Sequence, residues 1–340
     1  MSEPSIIADL QAAMLDAIDK DIRLSVQTLE DVPYQTMAEM IGYHLGWFET
    51  TPHAGGKRLR PLLMLLSCQA AGGDWRLALP AASCIELLHN FSLIHDDIQD
   101  ESDLRRGRPT VWKRWGVAQA INIGDSMFVL ARLAGQRLIE TGVPQMSVLH
   151  ILQLIDRECL NLTRGQYLDL NFQHRSSVAE QEYMEMVSGK TCAMLRASTE
   201  CGARVAATNP QNIDLYRTFG HHLGMAFQIV DDILGIWGMV EITGKPNDTD
   251  LQTRKQSLPV ILGMRHSPEF TRMWASERGM EADLQAMRQA LETAGVRKRV
   301  HNIAQEQIEL ALNALREAQP SDPAAMTLEQ LTRQLLTRMH

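Results

Sequence analysis

The chain has no Cys-x-x-Cys pair, no apolar run of bilayer length, no excess of positive charge and no glycine-rich phosphate loop. Each absence closes off a class of function. The five cysteines (Cys68, Cys84, Cys159, Cys192 and Cys201) lie scattered in apolar helical context, as reduced packing residues of a cytoplasmic protein do. Neither a secretory leader pattern nor a run near the ~20 residues of a transmembrane segment is present, since even "GMAFQIVDDILGIWGM" carries two aspartates. A formal net charge of −8 is wrong for non-specific binding of nucleic acid, although a locally basic site can still take an anion. Dinucleotide and P-loop fingerprints are missing, and no Ser/His/Asp or Cys/His constellation offers a protein nucleophile. No segment alternates as a strand does, and no Asn-Gly or Asp-Gly marks a hairpin between apolar runs.

What the chain does have is helical periodicity. Hydrophobic residues make up 45% and charged residues 22%, the balance of a globular protein and not a disordered one. A length of 340 residues suggests two domains, but no Pro/Ser-rich linker interrupts the chain; "TGKPNDTDLQTRKQS" is the nearest thing to one. Ile6, Leu10, Met14, Ile18 and Leu24 recur at helical spacing and predict a surface helix within residues 1–30. "LRPLLMLLSCQAAGG", "DWRLALPAASCIELLHNFSLIHDDIQD", "PQNIDLYRTFGHHLGMAFQIVDDILGIWG" and the segments between them are apolar on most faces, which marks buried helices. Shorter amphipathic helices follow over 260–340. The expectation is one all-α domain over 1–340.

Against this background the carboxylates are conspicuous. Asp96, Asp97 and Asp100 crowd the end of a helix, with Asp96 and Asp100 on one face about 5–6 Å apart at Cβ. The dipole disfavours negative charge at that end, and like charges so close raise one another's pKa or recruit a cation. A solvated acidic turn is the ordinary outcome for such a run. The preceding "LLHNFSLIH", however, is too apolar for an exposed helix, and a second pair, Asp231-Asp232, sits in an equally apolar one. Two buried-type pairs are costly unless something joins them. Facing each other across a bundle, they would hold two or more metal ions and an oligophosphate, since Mg²⁺ takes one or two carboxylates plus phosphate oxygens. Lys57, Arg58 and Arg60 follow Gly55-Gly56 at a helix start, a ready anion site. Arg105, Arg106 and Arg108 follow the first cluster, Lys190 and Thr191 lie in "SGKT", and Lys245 and Lys255 flank the loop after the second pair. Each alone is an ordinary surface charge. Together they describe two anionic groups, one reached through metal and one held directly by Lys and Arg.

"GGKRLRP", "ELLHNFSLIHDDIQDESDLRRGRPT", "GQYLDL", "SGKT", "FQIVDDIL" and the Lys245/Lys255 loop, in that order over residues 54–259, resemble the motif series of the trans-isoprenyl diphosphate synthases, the polyprenyl synthetase family. The resemblance implies an antiparallel helix bundle of the isoprenoid synthase type around a central active-site cavity. It implies condensation of isopentenyl diphosphate with an allylic diphosphate (dimethylallyl, geranyl or farnesyl), in a homodimer. By the same resemblance Asp96, Asp97, Asp100, Asp231 and Asp232 are candidate ligands of two or three Mg²⁺ ions bridging the allylic diphosphate, which Arg105, Lys190, Lys245 and Lys255 also touch. Lys57, Arg60, His89 and Arg106 match the isopentenyl diphosphate site. Thr191 and Gln228 line the reacting region, with Gln166 and Asp169 in the family's Gln-x-x-Asp position.

One departure stands out. The second motif of the family ends in a third aspartate, and here that position is Gly235. A terpene cyclase, or a weakly active or non-catalytic subunit of a heteromeric synthase, is the alternative this opens. On sequence alone Gly235→Asp should be tolerated or improve metal affinity. Product length rests on Phe91, five residues before Asp96 and so more than one helical turn below it. An aromatic there, beside small Ser92, resembles the short-chain geranylgeranyl (C20) pattern ahead of farnesyl (C15), ordinary core packing being the plain alternative.

Overall fold

The computed structural model describes residues 3–29, 31–49, 55–238, 249–276 and 281–337, nearly all of them helical. They group into two compact units: residues 1–156, 197–213 and 320–327 form one, and 157–196, 214–319 and 328–340 the other. The sequence shows no linker because all but one of the crossings between units, that at Gln319–Pro320, fall inside helices.

In the first unit, α1 (Glu3–Val26) buries Met14, Ile18 and Ile22 at four-residue spacing, while Leu24 stays 53% exposed, one step off the predicted face. α2 (Gln35–His44) and α3 (Leu59–Ala70) follow, and α4 (Leu79–Gln99) runs through the middle, packed by α1, α3 and α6 (Val117–Gln136). Residues Trp75–Gln99 are in fact long and apolar enough to cross a membrane, contrary to the sequence expectation, but 72% of that window is buried inside the fold. That burial is what a core helix needs.

A second difference is a small antiparallel hairpin, β1 (Leu104–Arg105) with β2 (Arg108–Pro109), pairing Leu104 with Pro109 and Arg105 with Arg108. Its turn residues, Arg106 and Gly107, have φ of 52° and 76°, the positive values a two-residue type I′ turn requires. Arg in place of the usual Asn hid the signal. Thr110 Oγ1 and Trp112 Nε1, the latter in α5 (Val111–Trp115), both donate to the Ser102 carbonyl at 2.9 Å and fasten the hairpin to the end of α4.

The second unit contains the later part of α7 (Gln145–Phe172), α8 (Glu180–Val187), a π-helical turn at Ser188–Cys192, and the start of α9 (Ala193–Val205). Most of α10 (Pro210–Trp237), the short helix Thr249–Gln252, and most of the C-terminal helices complete it. Helix Leu258–His266 packs against α8 and against helices Pro268–Ala275 and Val296–Glu317. All five cysteines are buried free thiols.

Candidate active site

The basic loop before α3 is organised from within. Arg58, at φ 48°, turns its side chain inward, where it is 7% exposed. It donates to the Gly55 carbonyl at 2.6 Å, the Leu45 carbonyl at 3.1 Å and the Glu86 carboxylate at 3.0 Å. The sequence counts Arg58 among anion-binding cations; the structure instead gives it a buried ion pair that sets the loop's shape. Lys57 remains exposed beside it. Arg60, on the first turn of α3, brings Nη1 to 3.1 Å from Nε2 of His89 on α4. Burial first, then the charges of Arg60, Arg106 and Arg105, push the His89 pKa well below its usual value, so the ring is neutral and accepts from Arg60. Arg106 lies with its guanidinium against Gly56, and burial together with Arg105, Arg58 and Arg108 brings its pKa down to about 10. His44 on α2, which no motif singles out, is buried near the same cations and likewise held neutral. Three of the four residues matched to the isopentenyl diphosphate site, Arg60, His89 and Arg106, thus share one cationic environment.

The first aspartate cluster ends α4. Asp96 is half-buried and Asp100 exposed, linked by the Asp100 N–H donating to the Asp96 carbonyl at 2.8 Å. Asp97 differs: it is 2% exposed and takes the Arg105 guanidinium side-on, Nε at 2.8 and 3.0 Å from its two oxygens and Nη2 at 2.7 Å. Burial raises the Asp97 pKa and the Arg105 contact opposes the rise. The hairpin turn is what carries Arg105 back to this position. One turn below Asp96, the half-buried Phe91 ring packs edge-on to Phe128 of α6 at 5.3 Å and to His95 at 5.6 Å.

In the second unit, α7 and the π-helical turn meet backbone to backbone. A Cβ on Gly165 would lie 2.1 Å from the Lys190 nitrogen, so only glycine fits there. The extra residue of the π turn, a frequent device at functional sites, directs Lys190 and Thr191 to different partners. Lys190 Nζ donates to Asp169 at 2.5 Å, and Thr191 Oγ1 donates to Gln228 Oε1 at 2.7 Å. Gln228 in turn donates to Asp232 Oδ1 at 3.0 Å. Gln166 is buried on α7.

Asp231 is exposed on α10, whereas Asp232 is completely buried. Besides Gln228, Asp232 accepts from the Tyr183 hydroxyl at 2.6 Å, the Leu258 N–H at 3.0 Å and Lys255 Nζ at 3.3 Å. Sequence reasoning groups the two aspartates as metal ligands. Their geometry separates them: Asp232 has its oxygens engaged by four donors that tie α10 to α8 and to the Lys255 loop. Burial works against the Lys255 ammonium, but Asp232, Asp250 and Asp169 outweigh it and hold the lysine above its usual range. Burial, reinforced by Asp232 and Asp231 and opposed by Lys255, raises the Asp250 carboxyl to about 6. Lys245 lies outside the described residues. Tyr183 and Asp250 were not singled out by sequence, because neither stands in a motif.

At Gly235 the structure sets a condition on the sequence expectation. A Cβ there would fall 2.6 Å from Asp250 Cγ and 2.6–2.7 Å from its oxygens, too close for any side chain unless Asp250 moves. Gly235→Asp therefore requires the Asp250 carboxyl to shift.

Among the described residues no three or more His, Cys, Asp or Glu side chains converge as a ready metal cage. Asp96 with Asp100, and exposed Asp231, offer hard oxygen donors in ones and twos. Taken unit by unit, donors so few fit Mg²⁺ completed by phosphate oxygens and do not make a preformed all-protein site. The arrangement can bind anions directly at Arg60 and Arg106 and through a cation at the aspartates.

The polyprenyl synthetase family's sequence profile matches residues 45–293. A (2E,6E)-farnesyl diphosphate synthase of Mycobacterium tuberculosis is 36% identical over 314 residues, 89% of this chain and 86% of that protein. A geranylgeranyl diphosphate synthase of the same organism is 34% identical over 336 residues, 96% of this chain and 95% of that one. The crystal structure of geranylgeranyl pyrophosphate synthetase from Pyrococcus horikoshii superposes with a TM-score of 0.88 at 32% identity, covering 98% of this chain and 99% of the other. An almost wholly helical fold, the ordered motifs and these likenesses agree: the chain belongs to the polyprenyl synthetase family and is a prenyltransferase with the all-α isoprenoid synthase fold.

Proposed function

We propose that the chain catalyses the Mg²⁺-dependent head-to-tail condensation of isopentenyl diphosphate with an allylic diphosphate, with geranylgeranyl (C20) favoured over farnesyl (C15) diphosphate as product. The observation that carries this reading is the presence, within one compact unit, of two anion-handling sites of opposite character. One is the cation group of Arg60, His89 and Arg106, and the other is the aspartate end of α4. A terpene cyclase has no use for the first, and an inert subunit none for the second.

Arg60 and Arg106, with exposed Lys57, bind isopentenyl diphosphate; neutral His89, by accepting from Arg60, orients its guanidinium. Asp96, Asp100 and Asp231 are the assigned Mg²⁺ ligands, with Asp97 beside them held in place by Arg105. Mg²⁺ held by these carboxylates would supply Lewis-acid charge for departure of the allylic diphosphate. Lys190 and Lys255 add cationic charge for the leaving diphosphate, with Lys245 assigned the same part. Thr191 and Gln228, tied to each other and through Gln228 to Asp232, hold the polar wall of the reacting region. The isopentenyl double bond attacks the allylic carbocation, and loss of a proton to the departed diphosphate gives the new allylic product. No protein nucleophile takes part. The half-buried Phe91 ring, held edge-on by Phe128, closes off the growing tail.

An outward apolar stripe on α6 (Val117, Ile121, Phe128, Val129 and Leu133, each at least 37% exposed) supports a homodimer, and five buried thiols suit a reducing cytoplasm. The test is to incubate the purified chain with Mg²⁺, labelled isopentenyl diphosphate and each of the C5, C10 and C15 allylic primers, and to size the products. Elongation that stops chiefly at C20 is expected. Absence of elongation from every primer would overturn the reading.

A further inference from the structure

Behind the cation group of Arg60, His89 and Arg106 stands a buried carboxylate. Glu86 on α4 is 3% exposed and lies three residues before His89, on the same face of the helix. Its Oε1 accepts from Arg58 Nη1 at 3.0 Å and from Asn90 Nδ2 at 2.9 Å. Its charge reaches both arginines of the site, opposing the fall in pKa that burial imposes on Arg60 and on Arg106. A negative charge so placed repels any anion those arginines bind, and by Coulomb's law alone it weakens the site.

The contacts around Arg58 give the carboxylate another use. Arg58 turns inward while Lys57, one residue before it, stays exposed. The inward turn needs φ 48°, a left-handed backbone that residues other than glycine adopt at a cost. Glu86 holds the guanidinium, which then donates to the Gly55 and Leu45 carbonyls and so fixes the loop from inside. A Cβ on Gly55 would collide with that same Leu45 carbonyl oxygen, so the loop is seated tightly against the end of α2. At Gly56 a Cβ would fall 2.6 Å from Nη2 of Arg106, so this loop is also the seat of the Arg106 guanidinium. α3, which carries Arg60, starts directly after it.

We propose that Glu86 is a positioning residue for the isopentenyl diphosphate site: through Arg58 it holds the loop of residues 55–58 in the shape that presents Lys57, Arg60 and Arg106 to one diphosphate. The inference rests on the reading given under Proposed function. It reverses the Coulombic expectation, since removing a negative charge beside an anion site then weakens anion binding.

The test compares wild type, Glu86→Gln and the double variant Arg58→Met/Glu86→Met. Isopentenyl diphosphate is titrated calorimetrically without divalent cation, thermal unfolding is recorded, and both Michaelis constants and kcat are measured with Mg²⁺. Glu86→Gln should weaken isopentenyl diphosphate binding and raise its KM about 10-fold, the scale of one charge-assisted hydrogen bond, with the allylic KM within about 2-fold of wild type. The double variant replaces the buried pair by apolar side chains of similar volume and keeps the wild-type unfolding temperature. Its isopentenyl diphosphate affinity should nevertheless stay low, because the anchor of the loop is gone. A carboxylate that serves stability alone predicts recovered affinity in the double variant, and a bystander charge predicts tighter binding in Glu86→Gln. Either result would overturn the proposal, as would a parallel rise in the allylic KM. Should one variant fail to fold, the other decides. Elongation by wild type with unchanged affinity in Glu86→Gln sinks this inference and spares the functional reading. Glu86-dependent affinity in a chain that elongates no primer does the reverse.

Discussion

His221 on α10 accepts from Arg196 at Nδ1 over 3.3 Å, while Arg196 also pairs with Glu158 at 2.5 Å. Burial, then Arg196 and His222, lower the His221 pKa from 6.5 to about 4. The folded value lies below the unfolded one, so the unfolded chain binds more protons between them. The stability that neutral His221 contributes is therefore complete above about pH 6.5 and is lost as pH falls through about 4. His221→Gln should shrink the difference in urea-unfolding free energy between pH 7.5 and pH 5 by about 1 kcal/mol, discounted for partial exposure. Equal pH dependence in both proteins would contradict the assignment. Residues of this kind were not legible in the sequence. Arg58, Tyr183 and His221 acquire their roles from partners brought near by folding: Arg58 from Glu86, Tyr183 from Asp232 and His221 from Arg196. Asp96, Asp100 and Arg60 stood out in the sequence as charges near helix ends and His89 through its motif, and the structure brings Arg60 and His89 together.

At the scale of elements, the 3.6-residue apolar spacing announced the helices, and their failures are local. The Arg105–Arg108 hairpin escaped because its I′ turn uses Arg-Gly, and the π turn at Ser188–Cys192 differs from ordinary helix by one residue, below what periodicity resolves. Both failures fall beside candidate site residues, where Arg105 must reach Asp97 and where Lys190 and Thr191 must diverge. α4 joins the two kinds of information on one element, its aspartates at the end and Phe91 a turn below. Because Phe91 meets Phe128 edge-on, removing its ring opens space along α4 without touching the carboxylates. Phe91→Ala should shift the product distribution to chains longer than those of wild type, read by chromatography of the dephosphorylated alcohols. An unchanged distribution places the floor elsewhere.

For the molecule as a whole, the proposed function divides the labour: one diphosphate held directly by cations and the other through metal at aspartates. Composition alone could not show this, since a net charge of −8 conceals a basic group around Arg60 and Arg106. Steady-state kinetics with both substrates varied tests the division most directly, comparing wild type, Arg60→Gln and Asp96→Asn. The account predicts that Arg60→Gln raises KM for isopentenyl diphosphate about 10-fold or more, the loss of one charge-assisted hydrogen bond, with KM for the allylic substrate little changed. Asp96→Asn should instead lower kcat and raise the Mg²⁺ and allylic diphosphate requirement, leaving KM for isopentenyl diphosphate in place. Parallel changes in both Michaelis constants in both variants would contradict it.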